Sequence, residues 1–169
     1  MSNEFRQAAV SATLNIFETM FFTFLDQLDD ARSLEDSKSE IQGQESLPSE
    51  DSPGLNLKTE IRFSGQRSGS LVLTLPYELG ETLAMNFLGF EEEVTEMQIL
   101  DMASELANMI CGNMFSQLDK SAVYVLGSPL TQKMSHTEIL ASNPTADITL
   151  AFQTEGQKAT VQLQFDPIP

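Results

Sequence analysis

Apolar residues recur every three or four positions over residues 4–28, which is the spacing of an amphipathic helix. The apolar positions are Phe5, Ala8, Ala12, Ile16, Met20, Phe24 and Leu28. A second long helical pattern runs from about residue 94 to residue 118. A shorter pattern lies between Pro76 and Gly89, which are typical of a helix start and a helix end. These patterns predict two long helices and one short helix.

Runs of β-prone residues separated by turn residues predict two hairpins. The first hairpin comprises Thr59–Phe63 and Ser70–Leu75, and the second spans residues 147–165 with its turn at Glu155 and Gly156. Between them the pattern is weaker. It predicts a strand at residues 121–130 that ends in a turn from Gly127 to Pro129, whereas Met134–Leu140 is ambiguous and could be a further strand.

One segment departs from these patterns. Residues 29–54 contain eight acidic residues, two basic residues and six serines. Such a composition cannot bury much apolar surface, so we predict a solvated loop. The whole chain of 169 residues has the length of one domain with one core, so we expect a single domain over residues 1–169 that carries this acidic, Ser-rich loop.

The two long helices and the two hairpins resemble each other. At an offset of 93 residues, three pairs coincide in the helices: Asn15 with Asn108, Ile16 with Met109, and Phe22 with Phe115. The hairpins repeat at offsets of 89 and 91 residues: Phe63 with Phe152, and Pro76 with Pro167. We favour a duplication over chance similarity. The predicted fold is therefore α+β, with duplicated helix-plus-hairpin units that form an antiparallel sheet and long helices packed on it.

The net charge of −16 limits the classes of partner. It disfavours binding to nucleic acid or to an acidic membrane surface. The single cysteine, Cys111, allows no intramolecular disulfide, which fits a reducing compartment. No signal peptide and no apolar run long enough to span a membrane is predicted, so we expect a cytoplasmic protein.

Four residues of the second long helix form one narrow stripe. Asp101, Glu105, Asn108 and Gly112 follow the spacing i, i+4, i+7, i+11, and Glu105 and Asn108 lie about 60° apart around the helix. A polar stripe is also what any exposed helix face requires. However, Gly112 costs about 1 kcal/mol relative to alanine in a helix interior, which suits close approach of a neighbour or a partner. The stripe also combines a carboxylate with an amide instead of Glu/Lys pairs.

The run "DMASELANMICGN" (101–113) resembles the signature of the CheC/CheX/FliY chemotaxis phosphatases. That signature has Asp or Ser, three residues, Glu, two residues, Asn, and a proline about two dozen residues later. Asp101, Glu105 and Asn108 fit, and Pro129 follows Asn108 by 21 residues, slightly closer than usual. The "ATLNIFETM" of the first helix and the Gly112-Asn113 pair resemble the CheX branch.

This resemblance implies a CheC-like fold and a phosphatase that acts on a phosphorylated CheY-type response regulator in chemotaxis or related two-component signalling. It implies Asn108 and Glu105 as catalytic residues. The supporting residues would be Asp101, Gly112, Asn113 and Pro129. Because Ala12 takes the place of Glu105 at the 93-residue offset, we predict one active site, on the second long helix. The family also implies a homodimer, no cofactor or metal of its own, and Mg²⁺ supplied by the regulator.

The chemistry fits such a role. An aspartyl phosphate hydrolyses unaided, so a helper needs only to hold a water in line with the phosphorus. The amide of Asn108 is neutral and offers both a donor and an acceptor. By the resemblance, Glu105 would pair with the regulator's lysine, while Asp101 would position the helix or its partner. The alternative function is a non-catalytic adaptor that binds a receiver domain or a motility component. We expect His136 to be a surface residue and Cys111 to be a core residue.

Overall fold

The structure is a computed structural model that describes residues 2–28, 54–89, 93–118, 122–142 and 145–167. The predicted loop at residues 29–54 lies outside the described residues except for Gly54. In chain order the elements are α1 (Ser2–Phe21), β1 (Asp26–Leu28), β2 (Leu55–Ser64), β3 (Gly69–Pro76), α2 (Tyr77–Leu88), α3 (Glu96–Gln117), β4 (Val125–Leu126), β5 (Leu130–Ser135), α4 (His136–Ala141), β6 (Ile148–Thr154) and β7 (Gln157–Phe165).

The described strands form one seven-stranded antiparallel sheet in the order β1-β6-β7-β3-β2-β4, with β5 also paired to β2. Helices α1, α2 and α3 contact one another and lie on one face of this sheet. Alternate strand residues such as Leu57, Ile61, Leu73 and Leu163 are fully buried beneath them, as the two-residue period of a strand requires. The predicted α+β fold with long helices on an antiparallel sheet is confirmed.

The sheet has an approximate internal symmetry. Strands β3 and β7 pair at its centre, and β2 and β6 flank them. The strand after α1 pairs with β6 of the second hairpin, and the strands after α3 pair with β2 of the first hairpin. Each half therefore gives a strand to the hairpin of the other half, which supports the predicted duplication.

The predicted helix offset of 93 residues is one residue short. Buried positions of α1 and α3 coincide at an offset of 94, where Phe5 matches Ile99, Ile16 matches Ile110, and Phe21 matches Phe115. The fully buried Ala12 then corresponds to the fully buried Leu106, not to the exposed Glu105. Burial decides the register because the same helix face must meet the sheet in both halves.

Helix α1 ends at Phe21, seven residues before the predicted end. Phe22 has a φ of 53°, a left-handed conformation that ends the helix, and the Thr23 N–H donates to the Phe17 carbonyl at 3.0 Å. Residues 26–28 leave the helix and pair with β6. Phe24, expected on the apolar stripe, is therefore 75% exposed.

The strand predicted at residues 121–130 is also corrected. Among the described residues of this range, Val125–Leu126 forms the short strand β4, and β5 begins at Leu130. Strands β4 and β5 both pair with β2, and the three residues Gly127–Pro129 separate them. Within this separation the Gly127 N–H donates to the Arg62 carbonyl at 2.8 Å. The ambiguous segment 134–140 is the end of β5 followed by α4, which starts at the Ser135 capping box.

The remaining predicted elements are confirmed. Pro76 precedes α2, and Gly89 caps its end in the left-handed conformation. Glu155 and Gly156 both have positive φ, which is the two-residue turn geometry that matches strand twist in a hairpin. Helix α3 begins after Thr95, whose hydroxyl accepts from the Gln98 N–H while Gln98 accepts from the Thr95 N–H.

Candidate active site

The stripe on α3 faces away from the core. Asp101 and Glu105 are exposed and Asn108 is half-buried, whereas the sheet-facing arc of α3 is buried. The buried residues are Ile99, Met102, Ala103, Leu106, Ala107, Ile110, Cys111, Met114 and Phe115. The rise and turn of an α-helix put Glu105 and Asn108 about 4.5 Å apart along the axis and about 60° around it. The amide and the carboxylate can therefore reach the same group from outside.

A chain of hydroxyl groups ties α3 to the sheet beside this stripe. Ser104 Oγ lies 2.7 Å from Thr131 Oγ1, which in turn lies 2.9 Å from Thr59 Oγ1. Thr59 is almost fully buried on β2, and Thr131 lies directly opposite it on β5. These hydroxyl contacts link α3 to the edge strand β5 and to the inner strand β2, so they fix the position of α3 relative to this edge of the sheet.

The edge strand runs antiparallel along α3. Thr131 meets Ser104 at 2.7 Å, and further along the strand Lys133 Nζ lies 2.8 Å from Glu96 Oε2. At the other end, Leu126 Cδ1 is the side-chain atom facing Gly112. Asn108 lies one helical turn from both Ser104 and Gly112, and Pro129 lies in the interruption between β4 and β5. Pro129 has no N–H to donate and so suits a break in strand pairing.

Nothing within the described chain requires Gly112 to be glycine. A Cβ added there would meet only Leu126 Cδ1, at 3.9 Å, which is an ordinary van der Waals contact. Gly80 of α2 differs, because its Cβ would clash with Leu57 Cδ1 in the core. Close packing against the sheet therefore explains Gly80, whereas no such contact explains Gly112.

Asn113 is not part of the stripe. It lies about 140° around the helix from Asn108, and its side-chain oxygen accepts from Gln117 Nε2 at 2.6 Å. Its carbonyl also accepts from the Ser116 hydroxyl at 2.7 Å. The structure therefore brings Asp101, Glu105, Asn108 and Gly112 to one face and gives Asn113 a local role near the end of the helix.

The stripe residues are available to a partner. Among the described residues, none forms a side-chain hydrogen bond or ion pair with Asp101, Glu105 or Asn108. Two acidic groups thus present a negative surface beside an amide. The sequence analysis did not identify Ser104 and Thr131, whose hydroxyl groups hold α3 in place. The signal that could have found them is a hydroxyl residue on the apolar side of each element.

Other groups with possible chemistry lie apart from the stripe. Cys111 is fully buried, and desolvation raises the pKa of its thiol to about 12, so it is a core residue and not a reactive thiolate. His136 is exposed at the start of α4. Within the described ranges, no three His, Cys, Asp or Glu side chains cluster to hold a metal ion. The helices that the structure describes include none with the length and apolar character needed to cross a membrane.

Sequence comparison identifies the family. The family described as chemotaxis phosphatase CheX matches residues 59–153, more than half of the chain. The matched range includes most of β2 and all of β3, α2 and α3, and hence the entire stripe. The chain therefore belongs to the CheX family of chemotaxis phosphatases, as the resemblance predicted. No match was found among curated proteins.

Solved structures share this fold over nearly the full chain. A chemotaxis protein CheX from Vibrio vulnificus superposes with a TM-score of 0.71 at 17% identity, covering 98% of this chain and 99% of that chain. A CheC-like superfamily protein from Shewanella has a TM-score of 0.67 at 20% identity, with coverages of 99% and 100%. CheX in a CheX–CheY–BeF₃–Mg²⁺ complex from Borrelia burgdorferi has a TM-score of 0.64 at 15% identity, with coverages of 96% and 98%.

Proposed function

We propose that this protein accelerates hydrolysis of the aspartyl phosphate on a CheY-type response regulator. The observation that carries the proposal is the exposed stripe of α3, which presents Glu105 and Asn108 side by side without partners among the described residues. Membership in a family of chemotaxis phosphatases supports the reaction class. The Borrelia structure, a complex of CheX with CheY, supports the partner class.

Asn108 is the proposed catalytic residue. Its carboxamide is uncharged, so it can approach the phosphoryl oxygens without repulsion, and it can both donate to and accept from one water. Holding that water in line with the phosphorus supplies the orientation on which phosphoryl transfer depends. Asn108 is half-buried, so only part of its side chain is open to solvent.

The other stripe residues have docking roles in this proposal. Glu105 forms an ion pair with the lysine of the regulator's phosphorylation site, which fixes how deeply α3 enters. Asp101 positions the partner near the start of the stripe, and Gly112 permits its close approach. Pro129 shapes the interruption between β4 and β5, whereas Asn113 supports the helix end.

The remaining features of the proposal follow from the partner. The regulator supplies Mg²⁺, in line with the presence of Mg²⁺ in the Borrelia CheX–CheY complex. The protein acts in the cytoplasm, where response regulators are phosphorylated, and as one domain over residues 1–169. From the family resemblance, we also propose that two copies associate.

The test is the decay of a ³²P-labelled receiver domain with and without the protein, together with a direct binding measurement. Faster decay supports the phosphatase, and Asn15→Ala on the exposed face of α1 serves as a matched amide control. Binding of the phosphorylated receiver without faster decay would reject catalysis and select the adaptor.

A further inference from the structure

A groove continues the stripe toward the end of α3. It has a volume of about 530 Å³ and is lined by Gly112, Phe115, Ser116, Ala122, Val123, Tyr124 and Leu126. The helix forms one wall and the segment leading into β4 forms the other. Because Gly112 belongs to both the stripe and the groove, a partner that covers Asn108 also reaches the groove.

The walls of the groove are apolar in a strongly acidic chain. Val123 is 77% exposed at the rim, and the Phe115 and Tyr124 rings stack at 3.9 Å to form the floor. An exposed aliphatic side chain above an aromatic floor, beside a polar stripe, is typical of a site that binds protein.

The groove wall is held in place by the sheet. The Val123 carbonyl approaches so near to Gly65 that a Cβ there would lie 2.6 Å from it, and Tyr124 packs against the same glycine. Close approach at Gly65 therefore positions the segment that carries Val123. A wall fixed in this way suits a recognition surface, since little ordering is needed on binding.

We propose that this groove binds an apolar side chain from the rim of the receiver's phosphorylation pocket, and that Val123 thereby contributes to selection of the regulator. This inference rests on the proposed function, because the receiver is the partner that would cover the stripe. The polar stripe then acts on the phosphoryl group, while the groove adds binding energy beside it. Docking through the groove and catalysis through Asn108 are separable.

The experiment compares Val123→Ser with Leu140→Ser in the phosphatase assay over a range of phosphorylated receiver concentrations. Leu140 is 62% exposed on α4. Helix α4 lies on the opposite face of the sheet, where Lys58 Nζ donates to Ser142 at its end. Loss of a buried valine side chain predicts a roughly tenfold rise in KM with kcat unchanged. The Leu140 variant should match the wild-type protein, and both variants should retain wild-type unfolding temperatures because both positions are exposed.

An unchanged KM in Val123→Ser would overturn the inference. A shift in oligomeric state in light scattering, with receiver binding intact, would also overturn it and assign the groove to self-association. If the wild-type protein fails to accelerate decay, the proposed function fails. The groove is then judged by calorimetric binding of the receiver, where weaker binding by Val123→Ser supports it and equal binding rejects it.

Discussion

Replacing Gly112 with alanine should stabilise the fold and weaken receiver docking. The position is inside α3, and alanine is favoured over glycine in a helix interior by about 0.8–1.0 kcal/mol. The new methyl group would contact only Leu126 Cδ1, at 3.9 Å, so no strain offsets this gain. For a protein of this size, a gain of about 1 kcal/mol raises Tm by about 2–4 °C.

The same methyl group would project into the proposed docking face. Overpacking of a close contact costs about 1–3 kcal/mol, which corresponds to a roughly 5- to 150-fold loss of affinity. Thermal unfolding by circular dichroism measures the first effect, and titration of the phosphorylated receiver measures the second. Gly80→Ala is the contrasting control, because its methyl group would clash with Leu57 in the core and should lower Tm.

Two results would refute this reasoning. A lower Tm for Gly112→Ala would mean that the fold itself needs glycine at this position. A higher Tm with unchanged receiver affinity would mean that close approach of the partner is not the reason for the glycine.

Three further substitutions test how α3 and α4 are held. Thr131→Val leaves the hydroxyl of buried Thr59 without its partner and should cost about 1–3 kcal/mol in urea unfolding; no change would contradict the hydroxyl chain. Thr95→Ala removes the capping box of α3 and should cost about 1 kcal/mol in the same assay, and an unaltered midpoint would contradict the capping role. The backbone N–H and hydroxyl of Ser135 lower the pKa of Glu138, so Ser135→Ala should raise this pKa in a ¹³C NMR titration. Because the folded pKa is lowered, this contact stabilises α4 above the unfolded pKa and is lost as pH falls through the folded value; an identical titration curve in the variant would reject it.

Periodicity predicted the elements whose ends carry local signals. Helix α2 begins after Pro76 and ends at Gly89, and both residue types favour these positions. The hairpin turn likewise contains Gly156, which readily adopts a positive φ. The end of α1 carries no such signal, because Phe22 adopts the left-handed conformation in which glycine is usual. Tertiary contacts override propensity there: Thr23 bonds to Phe17, and Asn86 Nδ2 of α2 donates to the Phe21 carbonyl.

The site was predicted to a similar degree. Helical spacing alone placed Asp101, Glu105 and Asn108 on one face, and the structure has that face outward. Spacing could not place Pro129, because its position depends on how the edge strand runs along α3. The family resemblance named Asn113 as a supporting residue next to Gly112, and in the structure the helix turns its side chain toward Gln117. The repeat offset was one residue short because the alignment relied on the identity of Asn15 and Asn108. The correct offset follows from which helix positions are buried against the sheet, and the sequence alone does not show this.

The central claim is that the neutral amide of Asn108 orients the attacking water. Single-turnover dephosphorylation at saturating protein, compared among wild type, Asn108→Ala and Asn108→Asp, tests it most directly, since saturation removes differences in docking. We expect both variants to lose assisted rate on the order of 10²-fold, because alanine cannot hold the water and aspartate places a negative charge beside the phosphoryl group. A wild-type rate at saturation in Asn108→Ala would contradict the account.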